Sequence, residues 1–397
     1  MVTTATTSAT EARAGIATYR DVLALPRVGA LSLTGFLVRI PASAAAITVT
    51  LHVVLGLGHG YAAAGAVGAA NTIGMALGAP LLGRLIDRRG LRPVLVLTTC
   101  AEIGFWSAAP WLPYPALLAG ALLGGLLALP VYSVIRQAIA ALVPTERRRP
   151  AYALDSMSVE LSYILGPAIG TALAVGVSTT VAMIAVGAGY ALGGVALCLL
   201  NPPTRAEAPR DVRRETGPIA EWLTPQLVAT LLATTAAAAV IFGSELGVVA
   251  ALQSSGQAGL IGVVIGAWCL SSLVGGYLYG TAQRSRSLYA LVAALGLATL
   301  PVALGGPWWT FALLLVPAGL ACAPSLTASA DTVAALAPER VRGLVTGLQG
   351  SAITLGAAFG APLAGALIDA FSPAAAIATA GLVGVAMAGV AALVARR

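Results

Sequence analysis

The chain contains no lysine: all 22 of its basic side chains are arginine. Without lysine there is no P-loop phosphate clamp and no Schiff base to pyridoxal, so two large enzyme classes are excluded. Codon usage in a GC-rich genome accounts for an arginine-only set as well, so the absence points to no function of its own. Histidine is almost missing too, with only two residues, and His52 sits inside an apolar stretch without a nucleophile or metal-ligand partner. The four cysteines, Cys100, Cys198, Cys269 and Cys322, all lie in apolar runs and form no CxxC pair, which reads as buried small hydrophobes. Residues 1–27 are polar and carry no apolar core of a signal peptide, so none is expected to be cleaved. No cofactor, no metal and no nucleic-acid partner is expected.

Charge is the scarcest commodity. Only 9% of residues are charged, against the roughly 25% that covers the surface of a soluble domain. Hydrophobic residues make up 58% and the mean hydropathy is +0.90. Such a chain is an all-α integral membrane protein whose main partner is the bilayer.

A membrane helix takes about 20 apolar residues. Breaking the chain at proline, glycine and charge clusters predicts twelve transmembrane helices, near 28–55, 62–86, 94–113, 115–142, 154–176, 178–200, 226–251, 258–281, 288–306, 308–335, 343–368 and 374–394. Arginine falls in the connections after spans 2, 4, 6, 8 and 10 and in both terminal segments; the other connections have none. By the positive-inside rule the arginine-rich face is cytoplasmic, with both termini inside. The net charge of +7 is then membrane anchoring rather than nucleic-acid binding.

One polar, proline-rich stretch interrupts the chain. It divides the protein into an N-terminal segment 1–27, a six-helix bundle 28–200, a linker 201–224 and a second bundle 225–397. The bundles repeat each other. Pro130 and Pro144 answer Pro324 and Pro338 at an offset of 194, Gly83 answers Gly276 at 193, and Gly166 and Gly170 answer Gly356 and Gly360 at 190. Two pseudo-symmetric six-helix bundles place a cavity at their interface, near the bilayer midplane.

The connection after span 2 concentrates charge in "GRLIDRRGLR", Gly83 to Arg92. Asp87 ends a helix, where its own helix dipole repels it, so it needs a positive partner such as an arginine or the start of another helix. The spacing Gly83, Asp87, Arg88, Gly90, Arg92 resembles motif A of the major facilitator superfamily, and the likeness extends to length, span count, linker and paired halves. Leu91 stands at a position that is commonly basic, and Gly280 stands where the second copy of the motif would have its aspartate. The resemblance implies that Asp87 meets the start of span 11 near Gly343 and Leu344 in the outward-facing state, with Asp87, Arg88 and Arg92 forming a latch between bundles. Arg84 and Arg89 read as plain topogenic charge.

Charges inside the membrane each need a partner or a wet cavity. Arg136 lies about 12 Å in from the arginine-rich end of span 4, and Glu160 and Glu102 reach similar depth on spans 5 and 3. The three are expected to form one buried network, with Glu160 or Glu102 as proton carrier, or else a static ion pair. Arg136 resembles the arginine of motif B in proton-coupled exporters, although "VIRQAIAA" lacks that motif's glycine. Arg39, beside Pro41 and close to mid-span, is expected to face the cavity and suits an anionic group, with Tyr61, Tyr132 and Tyr163 as polar contacts. Asp331 on span 10 is placed to answer Arg136 or Arg39. His52 and Glu245 read as interfacial, and Asp155 and Asp369 as helix-end residues that snorkel or cap. Gly166, Pro167 and Gly170 on span 5 resemble part of the exporter-associated motif C and are expected to allow a bend and close packing at the half interface.

These patterns imply a bacterial, drug-efflux-like member of the superfamily in the inner membrane. It is expected to act as a monomer, moving a small organic solute outward against protons. A facilitator or proton symporter importing a small metabolite is the alternative. A receptor would carry a folded soluble module, and the sequence contains none.

Overall fold

A computed structural model describes residues 17–203, 222–257, 260–282 and 286–396. Arg13, most of the linker, Arg284 and Arg397 lie outside the described residues, as does the side chain of Tyr61. Every regular element among the described residues is helical. The first half comprises α1 (Val28–Leu51), α2 (Tyr61–Arg89), α3 (Leu91–Ala108), α4 (Tyr114–Leu126), α5 (Val131–Leu142), α6 (Thr145–Gly176) and α7 (Thr179–Leu200). The second comprises α8 (Pro225–Ser254), α9 (Ile261–Thr281), α10 (Leu288–Thr299), α11 (Trp308–Leu336), α12 (Arg342–Ala370) and α13 (Pro373–Val394). Eleven stretches are long and apolar enough to cross a membrane, with α4 and α5 sharing one crossing. The shorter apolar helix Leu288–Leu304 occupies the place of the expected ninth span. Large apolar side chains such as Leu192, Leu199, Leu313 and Leu393 are exposed, a liability in water and a match for hydrocarbon.

Two helices depart from the sequence expectation. Span 4 is broken between α4 and α5, because Pro130 lacks an N–H and its ring crowds the carbonyl one turn back. Span 5 begins at Thr145, nine residues earlier than expected, and Pro150 lies inside it. The helix runs on because Arg148 folds back to donate to Ala140 O at 2.7 Å and Val143 O at 3.2 Å. Those bonds fill carbonyls that α5 leaves unpaired at its end. The early start moves Asp155 from a helix end to a buried position, 6% exposed.

The internal repeat is visible in the helix caps. Ser178 caps α7 through Val181 N, and Ser372 caps α13 through Ala375 N, both from extended backbone ahead of a 22-residue helix. Pro113 and Pro307 precede α4 and α11 with φ of −65° and −67°; Pro144 and Pro338 repeat the pattern at −53° and −57°. Side-chain packing repeats as well. Gly166 and Gly170 press α6 onto Ser43, Ala44 and Thr48 of α1, while Gly356 and Gly360 press α12 onto Thr235, Ala238 and Ala239 of α8. The close approach at Gly166 therefore lies within one half, which corrects the expected position at the half interface. The halves meet through α2 with α12, α5 with α12, and α6 with α9 and α11.

Candidate functional site

The contacts between halves start at the arginine-rich ends of the helices. There the Asp87 carboxylate accepts hydrogen bonds from Gly343 N at 3.0 Å and Leu344 N at 2.8 Å. These are first-turn donors of α12, which no side chain of its own chain segment caps. A carboxylate on a helix N-terminus gains both the hydrogen bonds and the dipole. The approach requires glycine on both sides, since a Cβ at Gly83 would run into Gly343 O and one at Gly343 would run into the Asp87 carboxylate. Gly90 makes the turn into α3 with φ +83°. Arg88 is exposed, and Arg92 reaches Cys198 O at 3.4 Å in its own half. The structure thus brings Asp87 to the other half without Arg88 and Arg92, a correction to the expected three-residue latch.

The pseudo-symmetric edge between α6 and α9 is built differently. Gly280 stands where the second aspartate would be, and the space is filled by Ala153 and the Tyr19 hydroxyl. Tyr19 belongs to a short helix at 17–23 and donates to Tyr277 O at 2.8 Å, with its ring 5.3 Å from that of Tyr277. Sequence reasoning passed over Tyr19 because nothing in the local pattern ties the N-terminal segment to span 8.

Deeper in the first half, two guanidiniums converge on one carboxylate. Arg39 Nη2 lies 2.7 Å from Asp155 Oδ1, and Arg136 Nε lies 3.5 Å from Asp155 Oδ2. Arg39 also donates to Ser158 Oγ at 2.9 Å and sits over the Tyr132 ring, 5.0 Å from its centre. At 1% exposure Arg39 is sealed in this network and not part of a cavity wall, against expectation. Asp155 neither snorkels nor caps. It joins α6 to α1 and α5. The signal for it was present, since buried charges of opposite sign on neighbouring spans seek each other.

The expected grouping of Glu102, Arg136 and Glu160 does not form. Glu102 accepts from Trp106 Nε1 at 2.8 Å and from Leu129 N at 3.1 Å, and so satisfies the backbone freed where α4 gives way to α5. Glu160 faces the other half, accepting from Ser272 Oγ of α9 at 2.9 Å with Cys322 Sγ of α11 3.8 Å away. Ser156 and Thr327 pair at 2.9 Å one turn nearer the arginine-rich face. Asp331 lies in the electrostatic range of Arg148 and Arg149 and makes no ion pair with Arg39 or Arg136 among the described residues. His52 is buried and pairs with Thr179 Oγ1 at 3.1 Å. Among the described residues, no three His, Cys, Asp or Glu side chains converge as metal ligands.

Among the described residues, the polar contacts between halves end near mid-span, at Glu160 with Ser272 and at Ser351, which donates to Ala76 O at 2.8 Å. Beyond that level Tyr163 is 47% exposed and lies in electrostatic range of Tyr132, Glu160 and Glu245.

The sequence profile described as Major Facilitator Superfamily matches residues 31–307 and again 227–397. The chain belongs to that superfamily. Solved transporters share its fold across nearly the full length. The human organic anion transporter MFSD10 (TETRAN) superposes with a TM-score of 0.70 at 18% identity, covering 94% of this chain and 99% of that one. A bacterial homologue of the iron transporter ferroportin, in an outward-facing state, gives 0.74 at 15% identity, covering 94% and 99%. The same kind of homologue with soaked iron gives 0.70 at 16% identity over 93% and 98%. A search among curated protein sequences finds no significant match. As a superfamily member the chain is a multi-pass transporter of a small solute and not an enzyme.

Proposed function

We propose that the chain is a secondary active transporter that exports a small organic solute by alternating access in exchange for protons. The arginine-rich face is assigned to the cytoplasm, which puts both termini inside, and the protein acts as a monomer in a bacterial inner membrane. The single observation that carries the reading is the one-sided closure. Asp87 caps α12 across the halves on the arginine-rich face, while Tyr163, beyond the last polar contacts between halves among the described residues, is exposed, as a path open to the other face requires. Likeness in fold to a ferroportin homologue captured facing outward supports the same assignment.

In this cycle Asp87, Gly83 and Gly90 form the latch that makes and breaks once per turnover. Glu160 is the proton carrier. It spans the halves where the seal ends, and its partners are the neutral groups Ser272 and Cys322. A protonated carboxyl is compatible with that closed interface, whereas a bare carboxylate there costs desolvation without a cation to offset it. The buried Arg39, Arg136 and Asp155 cluster holds α1, α5 and α6 as one body, and Glu102 does the same for the break in span 4. Neither takes the proton.

Proteoliposomes with an imposed pH gradient test this, with lumenal pH followed on addition of cationic, neutral and anionic organic dyes. Export by exchange predicts proton movement opposite to dye, lost in Glu160→Gln and retained in Glu102→Gln. Proton movement in the same direction as dye identifies the import reading.

A further inference from the structure

Between α5, α6, α11 and α12, just inside the arginine-rich face, lies a small cavity lined by Arg136, Gln137, Tyr152, Arg342, Thr346 and Gln349. Its volume is about 10 Å³, the space of roughly one water-sized group. Its walls come from both halves: Arg136 and Gln137 from the first, Arg342 and Gln349 from the second. Several polar groups around it are already engaged. Tyr152 donates to Arg136 O, Thr346 to Arg342 O, and Gln349 to Ser329 Oγ.

Two groups are not. Gln137 is 1% exposed, and neither its Nε2 nor its Oε1 finds a partner within the protein. Arg342 is 8% exposed, its Nε has no partner, and its one carboxylate neighbour, Glu339, stands 3.9 Å away with a 39% exposed side chain. A buried amide with all its hydrogen-bonding capacity unspent is rare in native proteins and calls for a ligand. Charge decides which kind. Arg136 shares Asp155 with Arg39, and Asp331 lies in range of Arg148 and Arg149, so the cavity receives two guanidiniums with less than one carboxylate each. Closing the halves brings these like charges together in a medium of low dielectric, which is unfavourable unless something negative lies between them.

We infer that this cavity is a site for one small monovalent anion, held by Arg136, Arg342 and the Gln137 amide, and complete only while the arginine-rich face is shut. Because the site comes apart when the halves separate, the anion acts as a ligand of the closed form. The ratio of closed to open protein rises by the factor 1 + [A]/Kd, where [A] is the anion concentration. Anion concentration on the arginine-rich side then tunes how often the gate opens, whatever solute is carried.

The test uses the full chain in nanodiscs, titrating sodium chloride and then sodium bromide against sodium gluconate at constant ionic strength, with thermal unfolding as readout. The expected result is a saturable rise in Tm with either halide and none with gluconate, which is too large to enter. Arg342→Gln should weaken the apparent chloride affinity by about tenfold or more, the order expected for losing a charge-assisted hydrogen bond. Its Tm in gluconate should be unchanged or higher, because a repulsion has gone. Gln137→Leu removes the amide without touching charge and should also weaken the halide response, so the inference does not hang on one variant folding. A response that is linear in salt, or saturable but equal in wild type and both variants, overturns the site and leaves the cavity to a water molecule.

Discussion

The two halves solve the same packing problem with different chemistry. In the first, the junction of α1, α5 and α6 is tied by Arg39, Arg136 and Asp155. In the second, the corresponding junction of α8, α11 and α12 is tied by neutral groups: Thr234 and Ser329 hydroxyls pair at 2.5 Å, and Gln349 Nε2 donates to Ser329 at 2.8 Å. The edges between halves differ in the same sense. Asp87 caps a helix at one, and Gly280 with the Tyr19 hydroxyl closes the other. A shared fold therefore fixes where the knots fall but not whether they are charged. Charge has gathered in the first half and on the edge it contributes, so mutations there should have the larger effects.

The largest is expected at Asp155. Asp155→Ala leaves two buried guanidiniums without their carboxylate, a loss of about 3–5 kcal/mol, and should show as loss of folded protein in size-exclusion profiles. At the latch, Asp87→Asn keeps size but surrenders the charge-assisted bonds to Gly343 and Leu344, worth about 1.5–3 kcal/mol. Transport should drop by about tenfold or more with membrane insertion intact, and unchanged transport would separate Asp87 from gating. On the neutral side, Ser329→Ala removes the hub of the hydroxyl knot and should lower thermal stability by only about 1 kcal/mol. If Ser329→Ala matches Asp155→Ala, the contrast between halves fails. Smallest is Tyr19→Phe, which deletes the bond to Tyr277 O and should cost about 0.5–1 kcal/mol of the closed state, seen as a modest change in transport rate.

The reach of the sequence follows the same division between one-dimensional and three-dimensional information. Span length, basic connections and turn residues are properties of a stretch of chain, and eleven of the twelve expected crossings match helices long enough to cross, to within a few residues except at the start of α6. Motif A was legible because Gly83, Asp87 and Gly90 lie within eight residues. Which intramembrane charges meet depends on helix rotation, and that is where the reading departed from the structure. A span 5 that starts at 154 puts Asp155 at a helix end, which leaves Arg39 facing a cavity and gives Arg136 only Glu102 and Glu160 as partners. The eleven-residue run from Thr145 to Asp155 is helical, and with it the pairing follows. Arg342 was hidden among topogenic arginines, and Gln137 gave no sign because a lone amide in an apolar run has no pattern.

The central claim is that the Asp87 carboxylate on the N-terminus of α12 holds the arginine-rich face shut. Its most direct test is the distance between spin labels at Arg89→Cys and Ala335→Cys, both exposed positions, with the four native cysteines replaced by alanine. Compared with otherwise identical protein, Asp87→Asn should move the distribution towards a longer, open separation. A distribution that stays short and unchanged in that variant would contradict the account.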